Sequence, residues 1–496
     1  MSANKSPFPD GELDATAELG AIDDRSVRVW VRQPGMARVQ ARMLVDGHEP
    51  VEQSVPLSDA TDWTGVAVLT ITEPAPSAPF TCQVAGRTLV GQLAPSVDAR
   101  EAFTFAFGSC HRPFVTGKGG RIGFNSGAGL YPALATELRD VEARFMLLIG
   151  DQIYSDEIPT ISVRDQLSAT DARPPSLEEA VAAYRRVTRG YLAQTGFRRV
   201  RETVPTFWMW DDHDIFNNWG SRLHESPLDE RLFEAATRVY SEYQNVRNPG
   251  GVIGPPPFFY SFRFGTVGFA VLDLRGARNY RVGRMMGAAQ WNEFRRYLAG
   301  PEAAEVETLF VVSTVPIAHH SRWLVRLFSH LRQKQADDVR DRWCSPNFIQ
   351  SRNELLDALF RWQGLRSERQ VIVLSGDVHS ASAFTIQKAD EPGVIQQFTS
   401  SALSTPDTSM ERFANVVGSR APNLFEKRFR FRRRFLALQN NAGIVKIEPL
   451  EPRGHRVEFK VRAWDPKRGQ LVDAGQVVAI PGTQPVHPGS RGSRSR

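Results

Sequence analysis

Five stretches of the sequence end an apolar run in side chains that can hold a cation or move a proton. FTFAF leads into Gly108-Ser109-Cys110, and RFMLLI into Gly150-Asp151, with Tyr154 three residues on. PTFWMW leads into Asp211-Asp212-His213-Asp214, TLFVVSTVPIA into His319-His320, and QVIVLS into Gly376-Asp377-Val378-His379. Continuous apolar runs of this kind are what buried central strands require. Ligands of open α/β sheets bind outside the carboxyl ends of such strands, so the five ends are expected to share one crevice. Carboxylates suit hard cations, whereas thiolate and imidazole suit softer transition metals. A mixture of Asp, His, Cys and Tyr therefore fits a centre of two unequal metal ions.

Each motif has a plainer reading. Asp151 at a strand tip could bridge two cations, and Tyr154 could return to the same point if its loop forms a helical turn. A phenol with a free pKa of ~10 becomes a ligand only beside a strongly acidic ion such as ferric iron. Alternatively, Asp151 caps a helix and Tyr154 is a core aromatic. WDDHDIFNNWG is harder to explain in that way. Its three carboxylates cost several kcal/mol each if buried without compensating cations, and the flanking Trp210 and Trp219 argue for partial burial. Asp377 and His379, two apart, share one side of an extended segment, but a turn Asp beside a core His would look the same. Cys110 after a strand is ordinarily buried and inert, and His319 and His320 could be surface residues.

The Gly-rich stretch from Thr116 reads as a mobile loop that could line a pocket. The basic run 427–435 reads as a helix with a solvated face in preference to a nucleic-acid or phospholipid surface. No G-x-S-x-G elbow anchors a serine hydrolase.

The chain must supply the elements that carry these ends. Its 496 residues are 41% hydrophobic with a net charge of +6, which excludes a disordered chain, a collagen repeat and a coiled coil. Three cysteines, Cys82, Cys110 and Cys344, cannot build a disulfide framework or a CxxC zinc site. No apolar run of ~18 residues marks a membrane span. No basic and apolar leader is visible, so a cytoplasmic protein is expected. Residues 1–98 alternate in short runs punctuated by Gly and Pro, the pattern of a small antiparallel β-sandwich of immunoglobulin or fibronectin type. A linker from Leu93 precedes one large α/β domain over residues 99–482, with helices expected from Ser176, Glu230, Ala288 and Ser351. Residues 321–342 read as a charge-rich surface insertion. The last segment returns to strand, and the basic tail 483–496 is expected to be disordered.

Taken together, GSC (108–110), GDQIY (Asp151, Tyr154), DDHD followed by NNW (211–219) and SGDVHSA (Asp377, His379) resemble the alkaline phosphatase D (PhoD-like) family of calcineurin-like metallophosphoesterases. They come in family order across roughly residues 103–405. The resemblance implies a four-layer α/β/β/α phosphoesterase domain behind an N-terminal sandwich, with a centre of Fe³⁺ and Ca²⁺. By motif position it makes Asp151 the bridging carboxylate, Tyr154 and Cys110 iron ligands, and Asp212, Asp377 and His379 further ligands. His213 falls where the family contacts the phosphoryl group. Two departures stand out. Asp214 replaces the usual Glu, a change expected behind the ligands, and the twin-arginine export signal common in the family is absent. Calcium is scarce in cytoplasm, so Mg²⁺ or Mn²⁺ could take the oxygen-rich position.

The chemistry this implies is hydrolysis of phosphate mono- or diesters by a metal-bound hydroxide at a dinuclear or multinuclear centre. His213 would stabilise developing charge or protonate the leaving group, and Arg112 would contact the phosphate. No obligatory protein partner is expected beside the phosphate-ester substrate. The competing readings are a phospholipase D-like or nuclease activity, the latter using the run 427–435, and a non-catalytic binding protein whose metals are structural. Completeness of the ligand motifs favours the enzyme.

Overall fold

The computed structural model describes residues 6–168, 175–223, 226–321, 325, 340–389, 391–406, 409–420, 423 and 426–482. The tail 483–496 and most of 321–342 lie outside the described residues.

Ahead of the linker, strict alternation decides the structure. In Arg38–Val45 the residues Val39, Ala41, Met43 and Val45 are buried while Arg38, Gln40 and Arg42 are exposed, a period of two that gives a strand one apolar face. Strands of this sort form a three-stranded antiparallel sheet of Thr16–Ile22, Ser26–Arg32 and Thr64–Thr70. A four-stranded antiparallel sheet holds Val51–Pro56, Arg38–Val45, Pro79–Val84 and Arg87–Gln92 in that order. Cys82 is buried among them, and burial pushes its thiol up to about 12.

The apolar runs that follow build two larger sheets. One has six strands in the order Thr206–Met209, Ala143–Ile149, Phe103–Gly108, Asn441–Pro449, His455–Asp465 and Gln470–Ala479, of which the first three run parallel. The other has seven, Tyr260–Phe264, Val267–Leu272, Thr308–Ser313, Gln370–Ser375, Ile395–Thr399, Ala381–Lys388 and Phe429–Ala437. Its four parallel neighbours, from Val267–Leu272 to Ile395–Thr399, are buried along their whole length. The two sheets meet through phenylalanines: Phe105 lies 5.4 Å from Phe269 and 5.2 Å from Phe310, and Phe398 lies 4.7 Å from Phe459. Burying these rings between the sheets favours their assembly.

Helices Ala288–Ala299 and Ile349–Gln363 cover the far face of the seven-stranded sheet, burying Phe294, Leu355 and Leu359 against Leu309, Val311, Val371 and Val373. Leu177–Ala193 begins at a capping box of Ser176 and Glu179, and Pro227–Tyr243 at the Ser226 cap with Pro in the first turn. All four helices expected from the sequence are present.

The run 427–435 departs from expectation. Its core is not helical but the edge strand Phe429–Ala437, in which Phe429 and Phe431 are buried and Arg430 and Arg432 exposed. A register shift opposite Ala383 and Phe384 breaks the alternation at the arginine triplet, which hides the period of two in the sequence. The expected surface insertion also ends inside the protein, because Asp341 is buried.

Candidate metal centre

Three neighbouring strands of the six-stranded sheet and one of the seven-stranded sheet aim their carboxyl ends at the same place. Phe103–Gly108 delivers Cys110, Ala143–Ile149 delivers Asp151, Thr206–Met209 delivers Asp211 and Asp212, and Gln370–Ser375 delivers Asp377 and His379. Gly150 turns the chain at the end of its strand with a φ of +106°. Gly376 lets the sheets close, since a side chain there would collide with Ser109, whose hydroxyl accepts the Asp377 N–H at 3.2 Å.

Carboxylate oxygens of Asp151, Asp211, Asp212 and Asp377 lie within 4.8 Å of one another. Asp151 also touches a different donor set. Its Oδ2 lies 3.4 Å from Cys110 Sγ and 3.4 Å from the Tyr154 hydroxyl, which in turn is 3.2 Å from His379 Nε2. Asp151 thus belongs to a cluster of carboxylates and also touches a thiol and a phenol, the phenol in turn touching an imidazole. Cys110, Asp151, Asp377 and His379 all have left-handed backbones, with φ of +60°, +55°, +66° and +52°. Each such residue costs on the order of 1–3 kcal/mol, and cost of this kind gathers at functional sites.

The loops are held from behind. Asp214 accepts the backbone N–H groups of Asp151 at 2.9 Å, Ile153 at 3.2 Å and Asp211 at 2.9 Å, so its carboxylate splints two of the motifs together. Asp212 accepts the Asn218 N–H. His213 packs against Tyr154 with ring centres 4.3 Å apart and the planes tilted by 30°, and its Nδ1 bonds Asp156 Oδ1 at 2.8 Å. Its Nε2 lies 3.9 Å from Glu157 Oε1. Arg112 pairs with Glu157 and lies 5.7 Å over the Tyr154 ring.

Electrostatics mark a deficit of positive charge. Burial and then the Asp212 carboxylate raise Asp151 well above the usual carboxylate range. Burial also lifts Asp211 to about 6, even though Arg275 pairs with it, and Asp214 to about 7. Burial raises the thiol of Cys110 and the phenol of Tyr154, with Asp151 adding to both. Around His213 burial opposes the charged ring, but Asp156 outweighs it and holds the imidazolium well above its ordinary value. The donors fit a pair of cations. Asp211 Oδ2 is buried with no hydrogen-bond donor among the described residues, and four carboxylates share one space with Arg275 beside two of them and Arg342 beside a third.

The structure brings together Cys110, Asp151, Tyr154, Asp212, Asp377 and His379, and sets His213 and Arg112 beside them. Tyr154 returns to Asp151 through a non-helical loop instead of a helical turn. His319 is buried and bonded to Asn415 at 2.9 Å, burial lowering it to about 4. Other residues at the site escaped the sequence reading. Arg275 grips Asp341 at 2.7 and 2.9 Å and reaches Asp211 and Asp212, and Arg342 pairs with Asp377. Arg275 had a signal: it follows the apolar strand Val267–Leu272. Asp341 and Arg342 sit in a charge-rich stretch and had none.

The family model described as PhoD-like phosphatase matches residues 122–448, about two-thirds of the chain. No curated protein matches the sequence. Among solved structures, one described as PhoD superimposes with a TM-score of 0.68 at 15% identity, covering 99% of this chain and 94% of that one. The purple acid phosphatase PPD1 from yellow lupin (Lupinus luteus) seeds gives a TM-score of 0.54 at 12% identity, covering 94% and 74%. At these identities the two structures speak for the mixed α/β fold.

Proposed function

The chain belongs to the PhoD-like phosphatase family and is a metal-dependent hydrolase of phosphoric ester bonds, and we propose that it works through two unlike cations held on either side of Asp151. The observation that carries this reading is the division of donors around that carboxylate. Cys110, Tyr154 and His379 would hold Fe³⁺, while Asp212 and Asp377, joined by Asp211, would hold a divalent ion, Ca²⁺, Mg²⁺ or Mn²⁺. Bound there, the ions would supply positive charge to the phosphoryl oxygens and acidify the attacking water.

The chain's own groups do the rest. His213, kept protonated by Asp156, donates from Nε2 to the leaving-group oxygen. Arg112, tethered by Glu157 over Tyr154, orients a phosphoryl oxygen. Asp214 keeps the Asp151 and Asp211 loops in register, and Arg275 fixes the orientation of Asp211 and Asp212. The reading includes a four-layer α/β/β/α arrangement for residues 99–482 behind a sandwich of residues 1–98. Its substrate is a mono- or diester. Hydrolysis of p-nitrophenyl phosphate and of its bis ester by metal-replete protein tests it: release of p-nitrophenol that chelation abolishes is expected, and hydrolysis insensitive to chelation would overturn it. The faster of the two substrates assigns the ester class.

A further inference from the structure

Two hydroxyls converge on the sulfur of Cys110, Ser109 Oγ at 3.3 Å and Ser401 Oγ at 3.1 Å, and all three residues are fully buried. Each hydroxyl has a second partner on the loop that carries two other donors of the centre. Ser109 Oγ accepts the Asp377 N–H at 3.2 Å, and Ser401 Oγ accepts the His379 N–H at 3.1 Å. An oxygen that accepts an N–H still has its own proton to place, and a ligating cysteine is a thiolate with no proton to give. In that state both hydroxyls donate to the sulfur. The backbone imposes this arrangement on Ser401, which lies just beyond the strand Ile395–Thr399. The Leu403 N–H donates to the Ser109 carbonyl at 2.8 Å, the Ser404 N–H to the Cys110 carbonyl at 3.2 Å, and the Asn441 side chain to the Ser401 carbonyl at 2.7 Å.

We propose that Ser109 and Ser401 are positioning residues whose paired hydrogen bonds set how strongly the Cys110 thiolate donates electrons to iron. The inference rests on the two-cation reading and adds to it the control of the sulfur ligand. A proton directed at a ligating sulfur draws electron density from it, which raises the reduction potential of the metal and leaves it a stronger Lewis acid. Burial strengthens both bonds, because the surroundings screen them little. The same two hydroxyls join the Cys110 loop to the Asp377–His379 loop, so alignment of the ligands and tuning of the sulfur come from one device.

Visible absorption and spectroelectrochemical titration of the full chain loaded with Fe³⁺ and Mg²⁺ test this without turnover. The sulfur-to-iron band is the one that Cys110→Ser removes. Ser401→Ala and Ser109→Ala are each expected to move that band to longer wavelength and to lower the reduction potential at unchanged iron content per folded molecule. The double variant moves both further, and Ser401→Thr, which keeps a hydroxyl, stays close to the unaltered protein. A merely structural role would lower iron content or melting temperature and leave the band of the retained iron in place. An unmoved band and potential in both alanine variants overturn the proposal alone. If Ser401→Ala fails to hold iron, Ser109→Ala decides by itself, and an unmoved band there overturns the proposal. Absence of any Cys110-dependent band in the unaltered protein overturns the assignment of Cys110 to iron with it.

Discussion

Two buried charge clusters in this molecule are built to opposite rules. Near the N-terminal strands, Glu18 is fully buried between two guanidiniums, with Arg201 at 3.0 Å and Arg247 at 2.5 Å. Arg247 also lies 3.9 Å over the Trp30 ring, and Arg201 lies 4.6 Å over Phe197. Burial works against the Glu18 charge, yet Arg201 and Arg247 outweigh it and bring the group down to about 2. At the candidate metal centre the proportions reverse: Asp151, Asp211, Asp212 and Asp377 crowd together and the carboxyl of Asp151 is driven up. The first cluster is closed by the chain's own cations and ties Thr16–Ile22 to the segments carrying Arg201 and Arg247. In the second, Arg275 meets Asp211 and Asp212 and Arg342 meets Asp377, while the carboxyl of Asp151 stays raised beside them, an arrangement that added cations would complete. Buried carboxylates are thus not functional by themselves; the unbalanced ones are.

The sharpest way to separate the clusters is to neutralise one carboxylate in each. Asp151→Asn is expected to abolish ester hydrolysis and metal retention while leaving the melting temperature of the metal-free protein unchanged or higher, since it relieves repulsion among four carboxylates. Kinetics, elemental analysis and calorimetry on one preparation check all three. Next in size, His213→Gln is expected to lower kcat by about 10²–10⁴, more for esters with poor leaving groups, as loss of a general acid does.

Glu18→Gln should do the reverse of Asp151→Asn. It leaves two buried guanidiniums without their anion and is expected to cost about 3–5 kcal/mol in denaturant unfolding, with turnover per folded molecule unchanged. The pH dependence has a definite sign. The group is depressed from 4.5 to about 2 in the folded state, so its stabilisation is fully present above pH 4.5 and lost as pH falls towards 2. The difference between Glu18→Gln and the unaltered protein should therefore shrink across that window. The smallest effect is expected from Arg275→Gln, which frees Asp211 and Asp212 to turn and should cost about 10–100-fold in metal affinity.

Much of the centre could be read from the sequence because an apolar run that stops at a reactive residue is a local signal. Cys110, Asp151, Asp212 and Asp377 each stand within a few residues of such a stop. Arg275 carries the same signal after VGFAVL, but a guanidinium is not a metal ligand and does not stand out as one. Asp341 could not have been found locally: it matters only through Arg275 and Arg278, more than sixty residues away. The edge strand Phe429–Ala437 shows a different limit. A bulge at the arginine triplet breaks the alternation, and a basic solvated helix then looks as good as a strand.

The account turns on two unlike cations meeting at Asp151. Elemental analysis combined with the visible absorption spectrum of the protein as isolated measures this most directly. It should show iron together with a divalent ion, and a phenolate-to-iron band that Tyr154→Phe removes. A colourless, iron-free protein that hydrolyses phosphate esters at full rate would contradict it.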